Sequence, residues 1–450
     1  MGKILIHLSQ EISGLSISIF RILFGFILLL QSIYWIIIGF IKNNVLDPTF
    51  LFPFIKGLEP LSDLLMNFGL NGALLISSIF IMTNKFYRVG LAIYLFSFTY
   101  LWLLCQGYFN NHYYLISIIC FLLFFSKAPF SRSEKIRIPK LYLFSIKILI
   151  VVVYFIAGVN KLNPYWLIDL QPMTYILCKA GIDENSILIP VFTYLGLFFD
   201  LLIGPILLIK KTRFIGFIAS IVFHLINFVI FLLVGGEIGF FPFIMIATLI
   251  LFLDSSKIEE KILASNARLL SRQSFNKNIA YILLCFLFFQ IIIPFRHLFF
   301  EGYVDYNGIG QRFSWRLKNM YKEHDQEIIS FKLLVKNNST IMSSFHLSED
   351  PMEIAEFKGK KFNVYLTDRQ KTNLFYYPNM IPVFAKKIES LIQETVAIDF
   401  IINGECNIGF MGREKQWLFN PSTDLTKVTN STYKTNTWLK PLQKKPWDIK

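Results

Sequence analysis

Long apolar segments are the feature that most constrains how this chain can fold. About nine windows are apolar enough to cross a bilayer, whose hydrocarbon core of roughly 30 Å requires about 20 helical residues. They are 16–40, 64–83, 88–105, 112–127, 141–160, 188–209, 213–234, 237–253 and 279–295. Of the 450 residues, 54% are hydrophobic and only 16% are charged, a composition that indicates a membrane protein. The chain is therefore predicted to form a polytopic α-helical membrane bundle.

The residues after the last window have a different pattern. The segments "IISFKLLV", "KFNVYLT", "TVAIDFII", "CNIGFMG" and "QWLFN" are short, rich in strand-forming residues and separated by polar turns, as is typical of sheets. We therefore expect two domains, with residues 1–296 forming the multi-span transmembrane domain and residues 301–450 forming a β-rich domain.

Charge asymmetry predicts the orientation of the bundle. The connections after the second, fourth, sixth and eighth windows are basic; the fourth carries Lys127, Arg132, Lys135, Arg137 and Lys140. Because basic loops stay in the cytoplasm, the N-terminus is predicted to be cytoplasmic and the C-terminal domain extracytoplasmic. This placement accounts for the net charge of +14, so no nucleic-acid partner is expected. The five cysteines show no metal-type spacing, so neither a metal nor a disulfide framework is expected.

Polar residues inside the apolar windows are candidates for function, because they are costly in a bilayer. Asp200 lies between Gly196 and Gly204 at four-residue spacing, a pattern that lets a second helix approach closely. His224 and Asn227 share a face of the next window. We predict that Asp200 and His224 form a buried polar cluster; a role in helix packing alone is the alternative.

Two further residues deserve a chemical interpretation because of their predicted depth. Lys161 ends the fifth window in "YFIAGVNKLNPYW", and His112 begins the fourth in "NNHYYL". The alternating direction of the spans places both at the outer side of the membrane. Lysines at span ends commonly extend to the headgroups, so Lys161 is either a membrane anchor or a catalytic group. His112 is either a helix-cap or interfacial residue or a catalytic one.

The same segments resemble a known family. "FIAGVNKLNPYW" resembles the segment of vitamin K-dependent γ-glutamyl carboxylases that carries the catalytic lysine, which falls on Lys161. "YFNNHYYL" resembles the Asn-Asn-His segment of that family, and the assisting histidine falls on His112. The likeness continues in order through "GLFFDLLIGPILL", "VFHLINFVIF", "GQRFSWRLKNM" and "FNPSTDL". Related bacterial proteins are grouped under a horizontally transferred transmembrane domain.

This resemblance implies an enzyme of a bacterial inner membrane, with catalysis in the transmembrane domain. Its implied reaction couples oxidation of vitamin K hydroquinone (reduced menaquinone or phylloquinone) by O2 to the addition of CO2 to glutamate in a protein or peptide substrate. Lys161 would be the base and His112 its support. A quinol epoxidase that does not carboxylate, and a non-catalytic membrane protein that reuses the fold, are the alternatives.

The resemblance also suggests residues for binding. The candidates for cofactor binding are Tyr154, Gly158, Asn111, His224 and Asn227. Arg312 and Arg316 in "RFSWR" are candidates for binding the substrate carboxylate, with ordinary surface solvation as the alternative.

Overall fold

The first part of the chain is helical. The computed structural model describes residues 2–236, 238–264, 266–316, 319–323, 329–335, 341–357, 359–395, 399–429 and 436–443. Its α-helices before residue 300 are α1 Gly2–Ser9, α2 Leu15–Ile37, α3 Asn71–Met82, α4 Tyr87–Leu104, α5 Asn111–Phe124, α6 Lys140–Asn160, α7 Pro164–Leu167, α8 Met173–Lys179, α9 Leu188–Leu208, α10 Arg213–Leu233, α11 Phe241–Thr248, α12 Ser255–Ile262 and α13 Lys277–Ile292. π-Helical turns at Lys42–Leu46 and Leu65–Leu70 and 3₁₀ turns at Leu249–Phe252 and Ile293–Phe299 extend or connect them.

Seven of the described helical segments are long and apolar enough to cross a membrane, or up to eight if a bent pair counts as one span. They are Leu15–Ile37, Leu65–Met82, Tyr87–Leu104, Lys140–Asn160, Leu188–Leu208, Arg213–Leu233 and Lys277–Phe299. The bent pair, Phe241–Phe252 with Ser255–Ile262, turns by 93°. α5 has only 14 residues, which reach about 21 Å at 1.5 Å per residue. The polytopic bundle is thus confirmed, but nine spans are reached only if α5 and the bent pair are both counted.

A small sheet joins three basic or polar connections at one end of the bundle. Its strands are β1 Glu11–Ser13, β2 Glu134–Pro139 and β3 Arg268–Arg272. β2 is central and pairs antiparallel with β1 and parallel with β3. The sheet therefore ties the N-terminus to the connections that precede α6 and α13.

The residues after 300 are rich in strands, as predicted. The elements are α14 Val304–Asn307, β4 Lys322–Glu323, β5 Ser330–Val335, β6 Ile341–His346, β7 Met352–Phe357, β8 Lys360–Val364, α15 Asp368–Tyr376, α16 Ile381–Gln393, β9 Phe400–Glu405, β10 Asn407–Phe410 and β11 Gln416–Trp417. β5 lies between β6 and β9, β7 pairs with β8, and β10 lies between β11 and β4. Each of these pairings is antiparallel. Sequence reasoning missed α15, although Thr367 and Gln370 form the capping box that signals a helix start.

Each part of the chain contributes side chains to the hydrophobic core of the other part. Phe50 and Phe52, from the loop between α2 and α3, pack in the hydrophobic core of the C-terminal part together with Tyr165 of α7. Conversely, Trp315 packs in the core of the bundle. Because each part buries side chains of the other, the strand-rich part is fixed directly over the ends of the helices.

Candidate active site

Lys161 lies at the C-terminal end of α6, where its backbone N–H donates to Gly158 O at 3.0 Å. The residue is buried, with 6% of its surface exposed. Nζ lies 2.6 Å from Asp200 Oδ2 on α9 and donates to Gly196 O at 3.4 Å. The centroid of the Trp166 ring is 4.6 Å from Nζ. Lys161 is thus held in a buried ion pair, which is incompatible with an anchor that extends to the lipid headgroups.

Two glycines let α6 and α9 approach closely enough for this ion pair. A Cβ added at Gly158 would lie 2.8 Å from the backbone N of Leu201. A Cβ added at Gly204 would lie 2.8 Å from Val151 Cγ1. Since real Cβ atoms do not approach so closely, any larger residue would push the helices apart. The predicted stripe of small residues on α9 therefore serves the contact with α6.

Tyr154 and His224 form a second buried polar pair. Tyr154 Oη and His224 Nε2 are 2.6 Å apart, and both residues are buried. The Phe199 ring of α9 packs edge-on against Tyr154, with centroids 5.6 Å apart. Because Tyr154 precedes Lys161 by two helical turns, both pairs lie along one face of α6.

The sequence predicted the burial of these residues but did not give their direct partners. Asp200 and His224 are buried, as expected, yet Asp200 pairs with Lys161 and His224 pairs with Tyr154. Asn227 Nδ2 donates to the Phe223 carbonyl of its own helix at 2.8 Å. The helical spacing gave the correct face of α10 but could not give the partner across it.

His112 lies in the first turn of α5. The cap of this helix is Asn110, whose Oδ1 accepts a hydrogen bond from the Tyr113 N–H at 2.8 Å. The His112 ring stacks on Phe241, with centroids 3.8 Å apart and planes inclined by 9°. His224 meets the same Phe241 ring edge-on at 6.0 Å. Phe241 therefore lies between the two histidines that the sequence singled out.

The loop 311–316 connects the two candidate segments. Asn160 Nδ2 donates to Ser314 O at 2.9 Å, and Asn111 Nδ2 donates to Arg316 O at 3.3 Å. Each asparagine directly precedes a candidate catalytic residue. Two carbonyl groups of one loop therefore bind the end of α6 and the start of α5.

The conformation of this loop is unusual and is fixed by packing. Phe313 and Trp315 have φ values of 60° and 53°, in the left-handed region that costs roughly 1–3 kcal/mol per such residue. Trp315 is buried in the bundle core, and its ring stacks on Tyr114 with centroids 5.3 Å apart. Burial of this large ring offsets the backbone strain.

Arg312 is buried, with 7% of its surface exposed, so surface solvation does not explain it. Nη1 donates to Gln106 Oε1, and Nη2 donates to Gln106 O at 3.2 Å. The guanidinium carbon lies 4.9 Å from the Phe54 ring centroid and 4.1 Å from that of Tyr377. Arg312 thus binds the bundle and the C-terminal part at once.

Arg316 is also buried, with 8% of its surface exposed, and is part of a polar group. Nη1 lies 2.6 Å from Asp305 Oδ2, and Nη2 lies 3.2 Å from His297 Nε2. Burial raises the pKa of Asp305, while the Arg316 charge opposes that rise. Arg316 Nε and Asp305 Oδ1 are buried without a hydrogen-bond partner among the described residues. Surface solvation is therefore excluded for Arg316 too.

The structure adds residues that sequence reasoning missed. One of them is Trp166, which lies over Lys161 and belongs to α7. The Asn-Pro sequence at 163–164 is a typical helix start and could have indicated this short helix. In the structure Asn163 caps it by accepting a hydrogen bond from the Trp166 N–H at 3.2 Å. Phe241 had no such signal, since the chain contains 48 phenylalanines.

Within the described part of the chain, no group of three or more His, Cys, Asp or Glu side chains is placed to hold a metal ion. Chemically, the site offers a buried amine–carboxylate pair suited to moving a proton.

Two family models together match most of the chain. The family model described as HTTM domain matches residues 10–256, more than half of the 450 residues. The model described as Vitamin K-dependent gamma-carboxylase, lumenal domain matches residues 275–445. No solved structure matches the chain significantly.

A multi-span bundle joined to a strand-rich domain, with these two matches, defines a gamma-carboxylase-like membrane protein. The chain belongs to the vitamin K-dependent gamma-glutamyl carboxylase family. Membership of this family indicates an enzyme, and it implies vitamin K as cofactor and a glutamate-containing substrate.

Proposed function

We propose that this protein couples the oxidation of vitamin K hydroquinone to the carboxylation of glutamate side chains in a protein or peptide. The net reaction would convert hydroquinone, O2, CO2 and glutamate into the epoxide, γ-carboxyglutamate and water. The observation that carries the proposal is the buried pair of Lys161 and Asp200, in a chain of the carboxylase family.

Lys161 is proposed as the base, so its amine must be able to give up its own proton first. Asp200 Oδ2, 2.6 Å from Nζ, is placed to accept that proton. Two separate charges are costly in a buried site, so a neutral amine beside a neutral carboxylic acid is an accessible alternative to the ion pair. Gly196 O and the Trp166 ring would keep Nζ in place during the exchange.

His112 is proposed to support the base rather than replace it. Its stacking on Phe241 fixes the plane of the imidazole, and one ring nitrogen can relay a proton near neutral pH. The loop 311–316 binds the segments of both residues, which supports a shared site for His112 and Lys161.

The residues present fit an aromatic hydroquinone. When bound, this cofactor would supply the electrons and, by reacting with oxygen, the strong base that glutamate carboxylation requires. Asn111 Oδ1 is buried without a hydrogen-bond partner among the described residues, so it can accept a hydrogen bond from a hydroxyl group. His224 provides a further polar group beside the Phe241 ring, and Tyr154 Oη lies within hydrogen-bonding distance of His224 Nε2.

Two of the five candidates for cofactor binding have packing contacts instead. Gly158 faces Leu201 across the helix interface, and Asn227 binds the backbone of its own helix. We therefore propose that Asn111, Tyr154 and His224 hold the hydroquinone, and that Gly158 and Asn227 shape the helices around it.

A substrate carboxylate is proposed to bind at Arg316. Its Nε donor is buried and has no hydrogen-bond partner in the described part of the chain, although Nη1 is already paired with Asp305. Arg312 is occupied by Gln106 and two aromatic rings, which favours a role in fixing the loop.

The proposed location is a bacterial inner membrane, with the N-terminus in the cytoplasm and the C-terminal domain outside. The sheet of β1, β2 and β3 supports this orientation, because it gathers basic connections at one end of the bundle. The glutamate substrate would then enter from the outer side, through the strand-rich domain.

One assay tests the proposed function. Purified protein would receive chemically reduced vitamin K, O2, labelled CO2 and a glutamate-containing peptide. The expected products are the epoxide and labelled γ-carboxyglutamate, and the two should accumulate together during the reaction. Epoxide without labelled peptide would identify a quinol epoxidase, and neither product would overturn the proposal of an active enzyme.

A further inference from the structure

A wide cavity opens at the N-terminal end of α6, whose other end carries Lys161. Its volume is about 1120 Å³. The walls come from β1, β2, the first two turns of α6, the connection between α9 and α10, and α12 with the residues that follow it. This cavity is therefore separate from the candidate active site.

The charged side chains of the wall are mostly basic. The lining cations are Lys135, Arg137, Lys140, Lys147, Lys210 and Arg213, and the lining acids are Glu11, Asp254, Glu259 and Glu260. Glu259 is already bound by Arg137 at 2.7 Å and lies 3.9 Å from Lys135. Asp254 lies 3.5 Å from Lys210. Glu259 and Asp254 are thus already paired with Arg137 and Lys210, two cations of the same wall.

Three cations of the wall make no salt bridge with an acid among the described residues. Lys140 Nζ lies 2.6 Å from His7 Nε2. Arg213 donates to backbone carbonyls near the end of α9 at 2.9 and 3.1 Å. Lys147 Nζ lies over the Phe252 ring at 5.6 Å. Arg213 and Lys140 lie close enough to Lys147 for their charges to repel it, and the Asp254 carboxylate attracts it more weakly.

Lys147 lies deeper than ordinary surface lysines. It follows Lys140 by two turns of α6, or about 10 Å along the helix axis, and is half-buried. Leu143, Phe144 and Leu208 are apolar parts of the same wall. A cation within a spanning helix calls for an anionic or aqueous partner, and the cavity that Lys147 lines gives such a partner access to it.

We propose that this cavity binds a phosphate-bearing anion, which is either the headgroup of an anionic phospholipid or a free phosphate compound. Lys147, Lys140 and Arg213 would contact the phosphate. Basic pockets between spanning helices suit such headgroups, and the apolar part of the wall would contact the acyl chains of a lipid.

Direct binding measurements test this proposal and separate the two sources. The full-length protein in detergent would be titrated with phosphatidylglycerol, phosphatidylcholine or glycerol 3-phosphate, and the bound fraction would be measured by native mass spectrometry. Lys147→Gln and Lys140→Gln should each weaken phosphate binding about fivefold, the loss expected for one surface cation. Lys277→Gln, at the exposed start of α13, removes an equal charge outside the cavity and should change nothing.

The outcomes are distinct. Preference for phosphatidylglycerol over both other compounds supports a lipid site, and tight binding of glycerol 3-phosphate alone supports a free phosphate compound. If Lys147→Gln fails to fold, the second variant, Lys140→Gln at the start of α6, decides. The proposal is overturned if neither phosphate anion binds more tightly than phosphatidylcholine, or if the cavity variants that fold bind like the Lys277→Gln control.

Discussion

Lys161 Nζ lies 2.6 Å from Asp200 Oδ2, and both side chains are buried between α6 and α9. The two residues are 39 positions apart in the chain. Their ion pair explains why a lysine can end an apolar helix without extending to the membrane surface. It also gives the proposed base a proton acceptor within hydrogen-bonding distance.

Replacing Lys161 by arginine tests its proposed role as the base. Arginine keeps the charge and length but does not lose its proton, so Lys161→Arg should lower epoxide formation at least about 100-fold, within the range for lost general-base catalysis. The initial rate of epoxide formation would be measured by chromatography. Lys179→Arg, at an exposed site in the last turn of α8, is the matched control. A Lys161→Arg protein as active as that control would refute the catalytic role.

The stability of the ion pair can be measured with a double-mutant cycle. Asp200→Leu leaves Lys161 buried without its carboxylate, which should cost about 3–5 kcal/mol and lower the folded yield. Lys161→Met together with Asp200→Leu should recover much of this loss, because no uncompensated charge remains. Thermal unfolding of the detergent-solubilised proteins gives the comparison. Strictly additive effects of the two substitutions would contradict the pairing.

His112 should matter less to the rate than Lys161. His112→Ala removes the ring that stacks on Phe241, and we expect epoxide formation to fall by roughly 10- to 100-fold, at or below the lower limit of the range for general acid–base groups. Lys161→Ala should abolish it. Rates would be compared with those of His7→Ala, which removes an exposed histidine from α1. Equal losses in the His112 and Lys161 variants would show that His112 is more than a supporting residue.

The close contact of α6 with α9 predicts opposite effects of two glycine substitutions. Gly158→Ala would place a Cβ 2.8 Å from the Leu201 backbone N, so it should destabilise the protein by about 1–3 kcal/mol and reduce activity by moving Lys161. Gly72→Ala in α3 meets no atom within 4 Å and should be neutral or slightly stabilising. Thermal unfolding and the epoxide assay would check both. Normal stability of Gly158→Ala would disprove the tight helix contact.

The orientation of the bundle can be tested in intact cells. In a background without the exposed Cys178 and Cys285, a cysteine at exposed position Ser344 should react with a membrane-impermeant maleimide. A cysteine at exposed position Ser133, beside β2, should react only after the cells are opened. The reverse labelling pattern would overturn the predicted orientation and the outer location of Lys161.

The positions of most membrane spans could be read from the sequence, because length and hydrophobicity are local properties of a segment. The strand-rich character of the C-terminal part was equally visible in its short alternating segments. α5 was an exception: its apolar window, residues 112–127, is already shorter than a span requires, and the helix has only 14 residues. The motifs around Lys161 and His112 also indicated the family, which the matches over residues 10–256 and 275–445 confirmed.

The partners of the polar residues were decided only by the tertiary structure. Helical spacing places Asp200 and His224 on defined faces of their helices, but it does not state which helix lies opposite each face. The small residues of α9 pack on α6, so Asp200 meets Lys161, while His224 meets Tyr154. In the same way, Arg312 and Arg316 looked solvent-exposed in a polar segment. They are buried because the loop 311–316 packs between the helices and the strand-rich domain, and such long-range contacts leave no local pattern in the sequence.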